Sequence, residues 1–151
     1  MIFFGLMINE QGVYLLEYNM RMGDPETQAI LPLMQNPLLD SIEAALNQTL
    51  EQFEFSWREE HAVCVVASSA GYPNEYQIGL PIKNIEKARF FAQVFIAGAK
   101  RKDKEYFTSG GRVLNVVATA PSLAQARQQA YTAIEKISFD GIYYRKDIGA
   151  I

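Results

Sequence analysis

The chain has 151 residues, 49% of them apolar, and a formal net charge of -3, the balance of an ordinary soluble protein with a buried core. One or two small units fit that length, and the lack of a long basic stripe excludes a surface that neutralises nucleic-acid or membrane phosphates. A single cysteine, Cys64, excludes an internal disulfide and suits a reducing compartment, so the expected location is cytoplasmic.

Residues 2–8 (IFFGLMI) and 13–18 (VYLLEY) are apolar runs of strand length joined by Asn9, Glu10, Gln11 and Gly12, which predicts a β-hairpin. The first run has no basic flank and is too short to cross a bilayer, so it reads as neither signal peptide nor anchor. Ile2, Phe3, Phe4, Leu6, Met7 and Ile8 leave that strand no polar face. It wants cover on both sides, which one hairpin does not supply. The expectation is a piece of a longer protein, with an exposed hairpin through which the chain could associate with a partner.

Asp24 and Pro25 then predict a helix start, with Asp24 as the cap and Pro25 at the first position, and a short helix to about Met34. Asn36 and Pro37 interrupt it. Leu38, Leu39, Ile42, Ala45, Leu46 and Leu50 recur at three- and four-residue spacing, an amphipathic helix to about Leu50. The stretch 51–60 is polar and irregular, and a boundary is placed there, dividing residues 1–50 from 56–151.

Past the boundary, 62–67 (AVCVVA), 90–97 (FFAQVFIA) and 113–119 (VLNVVAT) read as strands of a second sheet, separated by loops with Gly and Pro. Lys100, Arg101, Lys102 and Lys104, set among Asp103 and Glu105, read as a solvated turn between strands. Ser122 and Gln125 form a capping box ahead of the apolar stripe Leu123, Ala126, Ala130, Ala133, Ile134 and Ile137, so 122–137 is predicted as a helix covering the sheet. The fold class is α+β.

Among residues that could carry chemistry, His61 and Cys64 lie an odd number of positions apart on one strand and face opposite sides. One His and one Cys also cannot supply four zinc ligands. Hydrolase and zinc readings fail, and Cys64 is assigned to packing. Glu17, Asn19 and Arg21 alternate at the end of an inner strand and so emerge on one side. A carboxylate and an amide oxygen are hard ligands of the kind Mg²⁺ prefers, and a guanidinium can hold a phosphoryl oxygen. The same trio also reads as a polar strand end entering a loop, and spacing leaves both readings open. Ser109, Gly110, Gly111 and Arg112 could offer backbone N–H groups and a cation to an anion, or form a plain hairpin turn; leading into a strand, they are not a P-loop. No Lys precedes Lys83, and Arg21 and Arg58 are the only basic residues before His61. The first unit therefore has no cradle for a triphosphate.

Several runs together resemble a known family: Gly5-Leu6-Met7-Ile8, the continuous stretch from Leu16 to Gln28 (LEYNMRMGDPETQ), Ser109-Gly110-Gly111-Arg112-Val113-Leu114 and Arg145-Lys146-Asp147-Ile148-Gly149. In that order, with Gly71-Tyr72-Pro73 and Ala97-Gly98 between them, they are similar to glycinamide ribonucleotide synthetase, the phosphoribosylamine-glycine ligases. The resemblance implies the terminal hairpin and helices of an ATP-grasp domain over residues 1–50. It implies a small sheet domain with one covering helix, of barrel-sandwich-hybrid type, over 56–151. It further implies Mg²⁺ or Mn²⁺ on Glu17 and Asn19, ATP as co-substrate, Arg21 steadying the transferred phosphoryl group, and Asp24, Glu26, Gly110, Gly111 and Arg112 on the substrate side. Glycine and phosphoribosylamine are the implied substrates, used once the nucleotide-gripping first part of the enzyme is present; alone the chain is expected to be inactive. Met22, Ala70, Ile96 and Ala99 depart from the family pattern. Those departures and the missing cradle motivate a second reading, a non-catalytic remnant or interaction module.

Overall fold

A computed structural model describes residues 1–150. The first two strands, β1 (Phe3–Asn9) and β2 (Gly12–Asn19), pair antiparallel from Asn9 opposite Gly12 to Phe3 opposite Asn19. The turn closes locally: the Asn9 side-chain oxygen accepts from the N–H groups of Gln11 at 2.9 Å and Gly12 at 3.1 Å. A register shift leaves Leu16 as an extra residue between the Leu6–Leu15 and Gly5–Glu17 pairs, a bulge immediately before Glu17. The hairpin projects with both faces open, and Ile8 (72%), Leu16 (62%) and Met20 (74%) are among its exposed apolar residues.

Helix α1 (Glu26–Ile30) continues into a 3₁₀ turn at Leu31–Leu33, and α2 (Leu38–Leu46) follows Pro37. This second helix stops four residues short of the predicted Leu50, because Gln48 takes a left-handed conformation (φ 59°) and Leu50–Gln52 winds as 3₁₀ instead. The stretch 51–60 is irregular, as its polarity predicts, yet it is anchored. Gln35 N donates to Ser56 O at 2.9 Å, Arg58 N to Leu33 O at 2.8 Å, and Ser56 N to the Asn36 side-chain oxygen at 2.6 Å.

The rest of the chain runs β3 (His61–Ser68), β4 (Pro81–Ile82), α3 (Ile85–Ala88), β5 (Gln93–Ile96), β6 (Ala99–Lys102), β7 (Glu105–Thr108), β8 (Arg112–Ala120) and α4 (Leu123–Ile134). These strands form two three-stranded antiparallel sheets, ordered β3-β8-β5 and β4-β7-β6, where one sheet was expected. The added sheet comes mostly from the basic stretch assigned to a solvated turn. Only Asp103 and Lys104 turn, with Asp103 at φ 56°, while Lys100, Arg101 and Lys102 lie on an edge strand whose charges face solvent. The predicted strand 90–97 begins only at Gln93, because α3 and its closing turn occupy the preceding residues.

Period-2 alternation along β3 sends Val63, Val65 and Ala67 into the core with Leu114, Val116 and Ala118 of β8. Helix α4 covers them. Its buried Ala126, Ala130 and Ala133 let the helix approach the sheet closely, and Ser122 accepts from Gln125 N at 3.3 Å at its start. The other face of β3, with Cys64 and Val66, looks towards Pro25 and the start of α1. That arrangement brings the loop after β2 against the C-terminal sheet. No helix among the described residues is long and apolar enough to cross a membrane.

Candidate functional site

Glu17 and Asn19 occupy alternate positions at the end of β2 and share a side of that strand. Glu17 pairs with Gly5, and the missing side chain is what makes room for it: a Cβ built at Gly5 would stand 3.0 Å from Glu17 Cγ. The Glu17 carboxylate is exposed and Asn19 is half-buried, so both oxygens can reach an incoming ion. Among the described residues no three His, Cys, Asp or Glu side chains gather around one point. The carboxylate of Glu17 and the amide oxygen of Asn19 are donors of the hard type that Mg²⁺ takes.

Arg21 lies in the bend past the strand, where its Nη1 donates to Met22 O at 2.9 Å. Gly23 follows, and a Cβ there would collide with the Glu26 carboxylate and stand 3.1 Å from the Phe3 ring. Glu26 is thus folded back over the loop. The Thr27 hydroxyl and N–H both donate to Gly23 O, which fixes the loop to the first turn of α1.

Asp24 does not cap that helix. Pro25 holds the N-cap position without a side-chain bond, while Asp24 Oδ1 accepts from Gln28 Nε2 at 3.1 Å and Oδ2 from Arg112 Nη2 at 2.9 Å. Arg112 Nη1 also donates to Asp24 O at 2.8 Å, so one guanidinium grips both the backbone and the side chain of a residue 88 positions away. With one carboxylate oxygen taken by Gln28 and the other by the charged guanidinium, the Asp24 side chain is engaged away from the N–H groups of α1.

Arg112 opens β8, and the turn before it is set by close backbone packing. A Cβ on Gly98 would come within 2.5 Å of Arg112 O, and Gly98 N donates to that oxygen at 2.7 Å. The Gly110 and Gly111 carbonyls accept from the Ser69 hydroxyl at 3.1 Å and N–H at 2.8 Å. Any Cβ on Gly111 would overlap the Tyr72 ring, so Gly111 is the seat on which that aromatic rests.

Arg21, Asp24 and Arg112 line one open cleft of about 520 Å³ with Met22, Gly23, Thr27 and Gln28. Three of the residues singled out from the sequence are thereby brought together from both ends of the chain. Glu17, Asn19, Glu26, Gly110 and Gly111 are outside its lining. Gln28 escaped sequence reasoning, although it stands one turn past Asp24 on α1 and its spacing was a signal.

A second cavity, about 320 Å³, lies across the Arg112 wall between Pro25, Cys64, Val66, Tyr72 and the C-terminal segment. Burial pushes the Cys64 thiol up to about 12, and the negative charges of Asp24 and Glu26 add to the rise. It is a neutral thiol at physiological pH, in keeping with a packing role rather than a nucleophilic one. His61, at the exposed start of β3, takes no part in either cavity.

Comparison with known proteins decides the family. A model of the phosphoribosylglycinamide synthetase C domain matches residues 62–151. The chain belongs to the phosphoribosylglycinamide synthetase family. A phosphoribosylamine-glycine ligase of Clostridium acetobutylicum is 53% identical over 98% of this chain and 35% of its own length, and one of Fusobacterium nucleatum is 48% identical over 99% and 36%. A crystal structure of the Thermotoga maritima phosphoribosylamine-glycine ligase superposes with a TM-score of 0.75 at 34% identity, covering 97% of this chain and 36% of that one. The chain thus spans about a third of the length of the family members it matches.

Proposed function

We propose that this chain serves as the C-terminal part of an ATP-dependent ligase that joins glycine to 5-phosphoribosylamine through a glycyl phosphate in de novo purine biosynthesis, in the cytoplasm. The supporting observation is that a chain matched almost end to end by phosphoribosylamine-glycine ligases carries Arg21, Asp24 and Arg112 on one cleft beside the Glu17 strand end. Residues 1–50 are read as the end of an ATP-grasp domain. Residues 56–151 are read as the C-terminal domain, of barrel-sandwich-hybrid type.

Glu17 and Asn19 would hold Mg²⁺ or Mn²⁺, which when bound neutralises phosphate oxygens of ATP. Arg21, with one nitrogen on Met22 O, keeps further donors for the phosphoryl group transferred to glycine. Arg112 holds the Asp24 loop in place, and Glu26, Gly110 and Gly111 shape the substrate side. Since Arg21 and Arg58 are the only basic residues before His61, the grip on the triphosphate must come from the part of the ligase that precedes the match in its relatives, and the chain alone is inactive. The apolar faces of the β1–β2 hairpin are read as the contact surface for that part. Neither nucleic acid nor membrane is a partner in this reading.

The test is a chimera in which this chain replaces the matching C-terminal third of the Clostridium acetobutylicum ligase. Expected is phosphate release that requires ATP, glycine and phosphoribosylamine together and drops by about 10²-fold or more in Glu17→Ala, the scale of losing one strong electrostatic contact to the transition state. A folded chimera that never turns over would refute the ligase role and leave a non-catalytic module.

A further inference from the structure

The two C-terminal sheets end in four edge strands, β3, β5, β4 and β6. Three of them are blunted, since Tyr143 bridges to Ser68 at the end of β3, Ser138 bridges to Lys83 just past β4, and β6 carries Lys100, Arg101 and Lys102. Strand β5, with the sequence Gln93-Val94-Phe95-Ile96, has no charge, no Pro and no bridging segment among the described residues. We propose that β5 takes up an extended segment of a partner protein as an added strand, one with apolar side chains at alternate positions and a carboxylate where it passes Arg89.

Hydrogen-bond phase fixes which backbone groups are free. Ala97 N donates to Val113 O at 3.1 Å, and these two residues stand opposite each other when the β5–β8 register is continued by one step. Bonded and non-bonded positions alternate along an antiparallel pair. Phe95 and Gln93 therefore exchange bonds with β8, while the N–H and C=O groups of Val94 and Ile96 point to the open side, where they meet no partner among the described residues. Donors and acceptors recurring at every second residue along one line match another extended backbone, which repeats at the same spacing.

Side chains along the edge define what that strand carries. A cavity of about 550 Å³ is lined by residues 89–95, the β8 stretch 117–119 and Gln129. Phe90 there is 87% exposed, and Phe91 and Phe95 are exposed too, so apolar side chains of an added strand leave water against them. Charge at the cavity has one sign. Arg89 is the only charged residue in its lining, and Lys136 stands over Phe91 with Nζ 5.6 Å from the ring centre. Arg89 gives Nη1 to Glu86 at 2.7 Å and keeps its other donors, which a carboxylate on the incoming strand can accept. A second copy of β5 brings no such carboxylate, which favours a different chain as the occupant. None of these residues lines the Arg21 cleft or the 320 Å³ cavity, so the surface is separate from the ligase reading.

The probe is a short capped peptide of alternating valine and threonine with a glutamate at either end, titrated into the 151-residue chain and followed by fluorescence anisotropy and by amide NMR. Saturable binding is expected, with slowed exchange of the Val94 and Ile96 amides. Methylating the peptide nitrogens on its pairing edge should weaken it about tenfold, as for loss of a backbone hydrogen bond. Phe95→Lys, which gives β5 the kind of charge that β6 carries, should abolish binding. Arg89→Glu should weaken the glutamate peptide and favour its lysine counterpart, whereas Leu16→Glu in the hairpin should change nothing. No saturable binding would overturn the proposal, as would binding that survives N-methylation or is lost with Leu16→Glu. Self-association of the chain that Phe95→Lys abolishes would assign the edge to a second copy and overturn it as well.

Discussion

The hairpin at one end of the molecule and the β3–β8 sheet at the other are built from equally apolar strands, but they end in opposite environments. Val65, Val113, Leu114 and Val116 are fully buried, while Leu16, Ile8 and Val13 of the hairpin are each more than half exposed. Composition cannot be the cause, since both regions read as inner strands. The β3–β8 sheet has α4 on one face and the start of α1 on the other, whereas β1 and β2 pair only with each other. Apolar area stabilises a fold only when something removes it from water. The C-terminal body thus holds the buried apolar core, while the hairpin leaves its own apolar side chains exposed.

The sharpest way to break this comparison is to truncate one leucine in each region. Leu114→Ala should cost about 2–5 kcal/mol by transfer and cavity terms, whereas Leu16→Ala should stay within about 0.5 kcal/mol, as for an exposed site. Urea unfolding followed by circular dichroism would measure both, and equal losses would mean that the hairpin is already covered. Next in size, Gly111→Ala forces the Tyr72 ring off its seat and should cost about 1–3 kcal/mol of overpacking. Its melting temperature should recover when combined with Tyr72→Ala if the ring contact is the reason.

The join between the two regions is weaker. A double-mutant cycle of Asp24→Ala and Arg112→Ala should return a coupling of about 0.2–1 kcal/mol, because both side chains are 40–50% exposed and the pair is screened. Hydrogen exchange should nevertheless speed up across residues 21–28 when the bridge is lost. The smallest effect concerns pH. Cys64, pushed up to about 12 from an ordinary 9.0, keeps its proton in the folded state where the unfolded thiol would lose it, so its contribution to stability is complete below pH 9 and fades as pH rises towards 12. Alkylation of the folded chain should accordingly keep accelerating past pH 9; a rate that levels near pH 9 would place the thiol in solvent.

What could be read locally was read well. Apolar runs of strand length announced β1, β2, β3 and β8, the Ser122 and Gln125 pair announced α4, and the motif from Leu16 to Gln28 pointed to the family that the comparisons then established. Each of these depends on residues within a strand or a few turns, where pleat and cap geometry act directly on the sequence. The β6–β7 hairpin escaped because an edge strand can be as charged as a loop, its identity resting on a partner rather than on its own residues. Asp24 shows the same limit at the site. Gln28, one turn on, takes one carboxylate oxygen, and only the closed fold brings Arg112 across 88 positions to take the other. The two cavities on either side of that guanidinium exist for the same reason, since a wall made of residues from both ends of the chain forms only when long-range packing brings those ends together.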